Sequence, residues 1–267
     1  MGAGGGNLLR AMTTVCAIHV SPIKSLRLAA VDEAEIGMAG IAADRRFVLV
    51  DNRGRVATMR TLGQLARIES RYDEATRTLT VRLPDGSDVA AGVNGGSPAA
   101  VTLWGREIAG TALDGPWSDA VSDAVGKELT LLDLPDGIRG LDSHPVSLLS
   151  TASALEVGRR GGVDVLDPRR FRPTLLLDGL SAHEEDGWVG GRVRAGGAVL
   201  RVVRLDPRCS LPTRNPETGE RDADTLRWLA SYRRADDGEV YCGLYADVEV
   251  PGRVRVGDAV ETLSRAG

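Results

Sequence analysis

Cys209 stands in a polar segment, RLDPRCSLPTRNPETGERD at residues 204–222, directly after Arg208. A cysteine that serves only packing normally lies in an apolar run, because free cysteine behaves as a small buried hydrophobe. The neighbouring arginine would stabilise a thiolate, which is both the nucleophilic form of cysteine and a soft metal ligand. Spacing alone leaves three roles open for Cys209: a structural cysteine, a nucleophile, or the ligand of a metal whose other ligands come from a cofactor.

Lys24 and Ser25 follow a proline in HVSPIKSLR, residues 19–27, at the end of a predicted strand. A lysine in a turn can hold a phosphate as a point charge while the adjacent hydroxyl donates a hydrogen bond. The competing interpretation is an exposed lysine beside a turn, which is the commoner situation for this residue type.

Arginines precede two of the predicted strands. Arg45 and Arg46 follow Asp44 and lead into FVLVD. Adjacent side chains entering a strand point to opposite faces, so one arginine would face a pocket, and the sequence does not decide which. The alternative is a weak surface pair with Asp44. Arg172, in FRPTLLL, stands before a very apolar strand, where a buried guanidinium needs either an acidic side chain or a ligand phosphate.

The remaining candidates for chemistry give weaker signals. Cys16 and Cys242 lie beside apolar residues and are typical of packing. His19, His144 and His183 lack the HxH or HExxH spacing of a histidine metal site. The sequence has no GxSxG elbow, no Walker loop and no GxGxxG after a strand, which weakens hydrolase, NTPase and dinucleotide-binding interpretations.

Composition favours an ordinary globular protein. The chain has 267 residues, 42% hydrophobic and 26% charged, and its net charge of −4 argues against a nucleic-acid surface. Three cysteines without CxxC spacing indicate a reducing compartment. The N-terminal residues lack the uninterrupted core of a signal peptide, and no window approaches the roughly 20 apolar residues of a membrane span. We therefore expect a cytoplasmic protein that does not bind membranes or nucleic acid.

Elements that could position these residues are mostly strands. Short alternating or β-branched runs recur between turn residues, which predicts a mainly β fold with a few helices (α+β), built on barrels or strongly bent sheets. The segment LPDGIRGLDSHP, residues 134–145, is the predicted domain junction. Apolar residues at three- and four-residue spacing predict helices at 117–126, 151–160 and 222–234, the last capped by Asp222.

Several motifs together resemble a known family. In chain order they are PIKSLR, GIAADRRFVLVD, RVATMRTLGQLARI, FRPTLLL, Trp188-x-Gly190, PRCSLPTRNPETGERD and CGLYADVEVPGRVRVGDAVE. The chain resembles the MOSC family, which includes molybdenum cofactor sulfurases, the mitochondrial amidoxime-reducing component and related bacterial reductases. The resemblance covers roughly residues 14–264. It implies two β-rich domains: an N-terminal MOSC β-barrel domain at residues 14–134 and a β-barrel-like MOSC domain at residues 135–264.

The resemblance also implies a cofactor, the pterin-based molybdenum cofactor, with its metal bound by Cys209. No pyridoxal phosphate site is implied. In the amidoxime-reducing proteins, residues matching Lys24, Ser25, Arg45 and Arg172 hold the phosphate and the pterin. Further residues matched to that pocket are Ser150, Thr151, Ser153, Thr174, Arg208 and Tyr245. Thr174 stands where those proteins carry an asparagine, and only Thr213 remains of a threonine pair after the cysteine.

The implied activity is reduction of N-hydroxylated or other N-oxygenated small molecules. Some bacterial relatives append a ferredoxin domain with four clustered cysteines, which this chain lacks, so we expect a separate electron-transfer protein of the ferredoxin or flavin type. One alternative is a cofactor carrier or sulfur-transfer protein without turnover of its own. A second is a small-molecule-binding β-barrel without metal. The sequence assigns no proton donor; Asp206 is only close to Cys209 in the chain.

Overall fold

Strands dominate the structure, a computed structural model that describes residues 12–103 and 105–263. The strands are β1 (Thr14–Val20), β2 (Ala29–Val31), β3 (Glu33–Gly37), β4 (Gly40–Ile41), β5 (Phe47–Val50), β6 (Glu69–Asp73), β7 (Thr78–Arg82), β8 (Asp88–Gly92), β9 (Gly96–Leu103), β10 (Arg106–Leu113), β11 (Thr130–Asp133), β12 (Val146–Ser150), β13 (Leu175–Asp178), β14 (Arg192–Ala195), β15 (Ala198–Pro207), β16 (Tyr241–Val250), β17 (Gly252–Arg255) and β18 (Val260–Leu263). The predicted mainly β class is confirmed. The glycine-rich N-terminal residues and residue 264 lie outside the described residues.

The predicted helices are α1 (Trp117–Val125), α2 (Thr151–Arg160) and α3 (Thr225–Arg233). Short 3-10 helices span Gly63–Arg67, Pro168–Phe171, Glu184–Trp188 and Leu211–Thr213. The third prediction began too early: α3 starts at Thr225, and Asp222 pairs with Arg170 and accepts a hydrogen bond from Asn215 instead of capping the helix. No helix in the described ranges combines the length and the apolar character needed to cross a bilayer.

The largest sheet has eight strands in the order β18-β14-β15-β16-β12-β13-β1-β2. Only β12 and β13 run parallel within it, with Leu148 opposite Leu175, and α2 supplies the crossover that a parallel pair requires. Its apolar core includes Val15, Leu200 and Leu244, all fully buried. This sheet carries β15 and β16, whose ends position the cysteine loop.

A second core forms around Trp117 in the N-terminal half. The sheets β5-β11-β10-β9 and β6-β7-β8 surround it. Trp117, Val121 and Val125 recur every four residues on α1 and are buried, as expected for an amphipathic helix. The Trp117 Nε1–H donates to the carbonyl oxygen of Leu79 at 2.9 Å, which ties α1 to β7.

Trp117→Phe tests that anchor. The substitution keeps a ring in the core but removes the hydrogen bond to the Leu79 carbonyl and part of the packed volume, so we expect the free energy of unfolding to fall by about 1–3 kcal/mol. Urea denaturation measures the change. Leu155→Ala, at a side chain 43% exposed, is the control and should shift stability far less. Equal stability of wild type and Trp117→Phe would show that this hydrogen bond contributes nothing.

The strands among the described residues form open sheets, and no closed barrel is found. A further small sheet, β17-β3-β4, completes the set, and among the described residues none of the four sheets closes on itself. Isolated bridges, Ile23 to Phe47 and Arg27 to Glu69, join neighbouring sheets instead. Both bridges start from the segment between β1 and β2. The sheets are therefore open, and isolated bridges connect them.

The start of the chain contributes to both cores. β1 pairs with β13, and β3 pairs with β17 near the C-terminus, while Ile23 and Leu26 pack in the Trp117 core. The turn between β1 and β2, which carries Lys24, therefore lies where the two cores meet. The boundary between residues 134 and 135 stays a prediction.

Candidate functional site

A cavity of about 320 Å³ is lined by residues from both sides of the 134–145 segment. The turn after β1, the end of β15 and the loop that follows it supply much of its wall, together with the loop before β12 and Tyr245 of β16. The residues predicted from sequence that line it are Lys24, Ser25, Arg45, Arg172, Thr174, Arg208, Cys209 and Tyr245. The fold thus brings together side chains separated by more than half of the chain.

Lys24 lies deep in the wall and is not a solvated surface lysine. It is 8% exposed, and its Nζ donates to the carbonyl oxygen of Gly140 at 2.5 Å and to Asp142 Oδ1 at 2.6 Å. Burial lowers the pKa of Lys24, and the Asp142 carboxylate opposes that shift. The Asp142 side chain is itself 71% exposed, so a stronger anion entering the cavity could displace it.

The structure decides which of the two adjacent arginines faces the cavity. Arg45 lines it and pairs with the buried Asp44, whose carboxylate also accepts from the Ser21 N–H at 2.7 Å. Burial alone would lower the pKa of Arg45, but Asp44 raises it above its ordinary value. Arg46 instead forms a bidentate pair with Asp133, both contacts 2.9 Å long. Arg45 is therefore held charged at the site.

Arg172 contributes an unsatisfied cationic group. Its Nη2 is buried and has no hydrogen-bond partner among the described residues. Burial lowers the pKa of Arg172 to about 9, and the positive charge of Arg45 acts in the same direction. Buried N–H groups are almost always satisfied, so this one is suited to an anion that enters from outside the chain.

Backbone strain concentrates at the same place. Five non-glycine residues among those described have positive φ, and three of them line the cavity: Ser25 at 71°, Arg45 at 51° and Arg172 at 53°. Left-handed backbone at a non-glycine residue costs free energy and persists only where the surroundings enforce it, which is commonest at functional sites. The strain marks these three residues independently of their side-chain chemistry.

Cys209 is exposed and lies two residues after the end of β15. Arg208 beside it points into the protein: Nη1 donates to Phe171 O at 2.9 Å, Nε donates to Cys242 O at 2.7 Å, and Nη2 pairs with Asp206 Oδ2 at 2.7 Å. All side-chain hydrogen bonds of Arg208 within the described ranges go to these groups. Arg208 therefore fixes the loop that carries the Cys209 sulfur. None of these hydrogen bonds goes to the sulfur, so they do not supply the expected stabilisation of a thiolate.

Two glycines permit the close approaches that shape this loop. Gly243 has φ +79°, and a Cβ there would lie 2.7 Å from Leu148 O and 3.1 Å from Arg208 Nη2. Gly219, the last residue of the NPETG motif, has φ +76°, and a Cβ there would overlap the carbonyl oxygen of Gly63. Only glycine fits such positions without a shift of the neighbouring backbone. The motif glycines thus hold the cysteine loop against both β16 and the N-terminal half.

The other two cysteines pack, as their sequence context predicts. Cys242 is fully buried, and Cys16 is half-buried with its thiol donating to Leu176 O at 3.4 Å. Both belong to one apolar cluster beneath α2 and α3. Burial raises the pKa of Cys242 to about 12, which keeps that thiol protonated and inert.

Asp206 is a site residue that sequence reasoning missed. It lines the cavity, is 2% exposed, and is hydrogen-bonded to the side chain of Tyr245 on β16. Burial raises its pKa to about 6, against the opposing effects of Arg208 and Tyr245. A carboxyl group with such a pKa can carry a proton near neutral pH. The sequence shows only that Asp206 precedes the cysteine by three positions.

Three predicted hydroxyl residues lie outside the cavity lining. The Ser150 Oγ caps α2 by accepting from the Ser153 N–H at 3.0 Å, and the Ser153 hydroxyl donates to Glu185 Oε1 at 2.6 Å. Thr151 donates to Asp178 Oδ1 at 3.0 Å. Because β12 ends at Ser150 and α2 begins at the next residue, these hydroxyls serve the strand-to-helix turn.

Ser147, at the other end of β12, lines the cavity in their place. Its hydroxyl accepts from the Thr174 N–H at 3.0 Å, and its own N–H donates to Thr174 Oγ1 at 3.2 Å. Ser147 and Ser150 are separated by about 10 Å at the rise of a strand. Choosing between serines of one strand needs the register, which the sequence did not supply.

The histidines form no shared centre. His144 lines the cavity, and its Nδ1 lies 2.8 Å from Asp247 Oδ1. The Nδ1 of His19 lies 3.0 Å from a backbone carbonyl oxygen, and the Nε2 of His183 lies 3.1 Å from a tyrosine hydroxyl. Across residues 12–103 and 105–263, no group of three or more His, Cys, Asp or Glu side chains could hold a metal ion.

Asp142→Asn tests whether the Lys24 pair competes with an anion. Removing the carboxylate frees Lys24 and lowers the local negative charge, so we expect the affinity for inorganic phosphate to rise by up to about fivefold, the scale of an ion pair with one exposed partner. Isothermal titration calorimetry measures it. Asp136→Asn, at a side chain 96% exposed in the same loop, is the matched control. Unchanged or weaker phosphate binding by Asp142→Asn would contradict this competition.

The donor set fits an anionic cofactor that carries a soft metal. Lys24, Arg45 and the unsatisfied Nη2 of Arg172 suit phosphate oxygens, and Ser25 adds a hydroxyl. A lone exposed thiolate suits a metal such as molybdenum when a cofactor supplies the remaining ligands. Groups suited to a phosphate and a group suited to a soft metal therefore line the same cavity.

Family models match nearly the whole chain. The MOSC N-terminal beta barrel domain matches residues 12–128, and the MOSC domain matches residues 135–261. Among curated relatives, mitochondrial amidoxime-reducing component 1 from Homo sapiens is 26% identical, over 97% of this chain and 85% of the relative. Molybdenum cofactor sulfurase from Oryza sativa subsp. japonica is 23% identical, over 87% of this chain and 32% of the relative.

Among solved structures, the YUAD protein from Bacillus subtilis is similar with 16% identity and a TM-score of 0.47, covering 95% of this chain and 97% of that one.

Proposed function

The chain belongs to the MOSC family, with both its N-terminal and its MOSC domain, and on that premise we propose that it binds a pterin-based molybdenum cofactor and reduces N-hydroxylated or other N-oxygenated small molecules. The observation that carries the proposal is the exposed Cys209 on the same cavity wall as the buried, unsatisfied Nη2 of Arg172. The names of the relatives, amidoxime-reducing component and molybdenum cofactor sulfurase, give the direction of the chemistry.

In this proposal the phosphate of the cofactor binds the cationic side of the cavity. Arg172 provides the unsatisfied N–H group, Arg45 is fixed and charged by Asp44, and Lys24 exchanges its exposed Asp142 partner for the ligand. The Ser25 hydroxyl would donate to the same oxygens. Charge-assisted hydrogen bonds of this kind are stronger than neutral ones, which suits retention of the cofactor through turnover.

Thr174 and Tyr245 stay proposed contacts to the pterin side, as the family resemblance implies. Thr174 is 2% exposed and already bonded to Ser147 through both its N–H and its hydroxyl. It can therefore offer a fixed oxygen to a neighbouring group, with a shorter reach than an asparagine.

When bound, the cofactor would supply the two-electron redox chemistry needed to break the N–O bond of the substrate. The chain fixes the position of the cofactor's metal through the Cys209 thiolate. Arg208 keeps the loop rigid through its bonds to Phe171 O and Cys242 O. Apolar side chains at the cavity, Phe171 and Leu211 among them, would face a small organic substrate and limit water around it.

Two electrons must reach the site for each substrate molecule. We propose that a separate electron-transfer protein of the ferredoxin or flavin type supplies them and that the reaction takes place in the cytoplasm. Relatives named amidoxime-reducing components support a reductive reaction.

The test is reduction of benzamidoxime by the protein purified from a host that makes the cofactor, with a reduced viologen dye as electron donor. We expect dye oxidation that depends on benzamidoxime and yields benzamidine. Retention of molybdenum without any turnover would contradict the reductase and favour the alternative of a carrier or sulfur-transfer protein. Protein from a host without molybdopterin synthesis is the matched control and should be inactive.

A further inference from the structure

We propose that Asp206 is the proton donor for the reduction at this site and that Tyr245 is the residue that positions its carboxyl group. This inference rests on the proposed function, because a proton donor has a role only if an N–O bond is reduced here. It assigns a group to the reaction that neither the family resemblance nor the relatives identify.

The position of Asp206 meets the first requirement, access to the reacting groups. Its side chain is 3% exposed, yet it lines the cavity shared with Cys209, three residues further along the chain. It belongs to β15, so the sheet fixes its backbone, in contrast to groups on the mobile side chains of a surface loop. A carboxyl group in this place can reach a substrate inside the cavity without being exposed to bulk water.

The contacts of Asp206 are arranged to hold the carboxyl group without forcing it to ionise. Arg208 Nη2 lies 2.7 Å from Asp206 Oδ2, but the same guanidinium is shared with the carbonyl oxygens of Phe171 and Cys242. The Tyr245 side chain bonds the carboxyl from the neighbouring strand β16. Because Arg208 shares its N–H groups among several acceptors, it compensates only part of the cost of burying the Asp206 charge.

Four charged or titratable groups face Asp206 from the elements around it. Arg208 and Arg204 lie on or beside β15, Tyr245 lies on β16, and Asp142 lies in the loop before β12. The two arginines and the tyrosine hydroxyl favour the carboxylate, whereas Asp142 and burial favour the neutral acid. Burial is the largest influence, which agrees with a group that holds a proton near pH 6 and can release it.

Reduction of an N-hydroxylated substrate breaks the N–O bond and consumes two electrons and two protons, giving the N–H product and water. Asp206 gives one proton to the departing oxygen and becomes a carboxylate, which the Arg208 pair stabilises. The electron-transfer partner supplies the electrons, and solvent supplies the second proton and restores the Asp206 proton before the next turnover.

The pH dependence of benzamidoxime reduction tests the assignment. The rate should fall as pH rises through the pKa of Asp206, because only the neutral acid donates a proton. Asp206→Asn keeps the size of the side chain and an oxygen that can accept from Arg208, but it cannot titrate. We therefore expect a rate at least about a hundredfold lower, with no fall in rate through that pKa. Asp178→Asn, at an exposed aspartate outside the cavity, is the matched control and should keep the wild-type pH profile.

Tyr245→Phe is the second variant, and it should shift the pH profile in a direction that a merely structural role of Asp206 would not produce. The tyrosine hydroxyl lowers the pKa of Asp206 by donating to its carboxylate. Removal of the hydroxyl therefore raises that pKa and moves the fall in rate to higher pH. Infrared difference spectra of the protein labelled with ¹³C-aspartate should show the same upward shift of one carboxyl titration, without any turnover. Molybdenum content, measured in parallel, should stay at the wild-type level in Asp206→Asn, and the rate of Tyr245→Phe is divided by its own molybdenum content.

The outcomes separate this inference from the proposed function. If the wild-type protein does not reduce benzamidoxime, the proposed function fails and the proton donor falls with it. A second outcome is that the wild-type protein reduces benzamidoxime while the fall in rate with rising pH persists in Asp206→Asn or stays at the same pH in Tyr245→Phe. In that case only the assignment of the proton donor is wrong. Loss of molybdenum from Asp206→Asn together with an unshifted carboxyl titration in Tyr245→Phe would show that Asp206 serves only to hold the loop.

Discussion

Cys209→Ser protein should retain less than about a tenth of the molybdenum found in the wild type, because a serine hydroxyl is a harder and much less acidic ligand than a thiol. The side chain is exposed on the cavity wall, so the substitution removes a ligand without opening a hole in a packed core. Elemental analysis after gel filtration measures the loss. Circular dichroism should show an unchanged fold.

Cys16→Ser is the matched control for this experiment. It makes the same change at a half-buried cysteine in the cluster beneath α2 and α3, away from the cavity lining. We expect its molybdenum content to equal that of the wild type. Equal retention by Cys209→Ser and wild type would remove Cys209 from its assigned role and leave the cationic residues as the sole anchor.

Arg172→Gln should have the second large effect: it should lower cofactor retention and raise the stability of the cofactor-free protein. Loss of a charge-assisted phosphate contact lowers cofactor retention by about 10- to 100-fold. The cofactor-free protein, in contrast, should gain about 1–3 kcal/mol in free energy of unfolding, since a buried guanidinium with an unsatisfied N–H group is no longer present. Pterin content per chain and urea denaturation of the cofactor-free protein measure the two effects.

Arg46→Gln provides the comparison for Arg172→Gln. Arg46 is a neighbouring arginine in sequence to the site residue Arg45, but its guanidinium pairs with Asp133 rather than facing the cavity. Its loss should leave cofactor retention unchanged and should cost stability rather than add it. If Arg172→Gln behaves in the same way as Arg46→Gln, the buried Nη2 is not a ligand group.

Local chemistry made part of this site predictable from sequence. Lys24, Arg172 and Cys209 each stand out because their type conflicts with their context: a lysine at a strand end, an arginine before an apolar strand, a cysteine in a polar loop. The structure gathers all three around one cavity. Such conflicts between local preference and surroundings are commonest at functional sites.

The parts that sequence missed depend on register and long-range pairing. Arg45 and Arg46 could be separated only by the backbone turn at φ 51° that directs Arg45 inward. Asp206 gains its role from Tyr245, which the pairing of β15 with β16 brings beside it from about forty residues away. Neither burial nor a cross-strand partner can be read from the DPRC segment itself.

The positions of the hydroxyl residues and the closure of the sheets also depend on features that local sequence does not encode. Ser150, Thr151 and Ser153 have the right chemistry but lie at the strand-to-helix end of β12, whereas the cavity takes Ser147. Alternating strand patterns predicted the β content correctly, yet closure of a sheet depends on pairing between its edge strands, which periodicity does not encode.

Elemental analysis of the wild-type protein, purified from a host that makes molybdopterin, tests the central claim most directly. Held by the Cys209 thiolate and the cationic wall, the cofactor should copurify, giving about one molybdenum atom per chain. A folded protein that carries no molybdenum from that host would contradict the account.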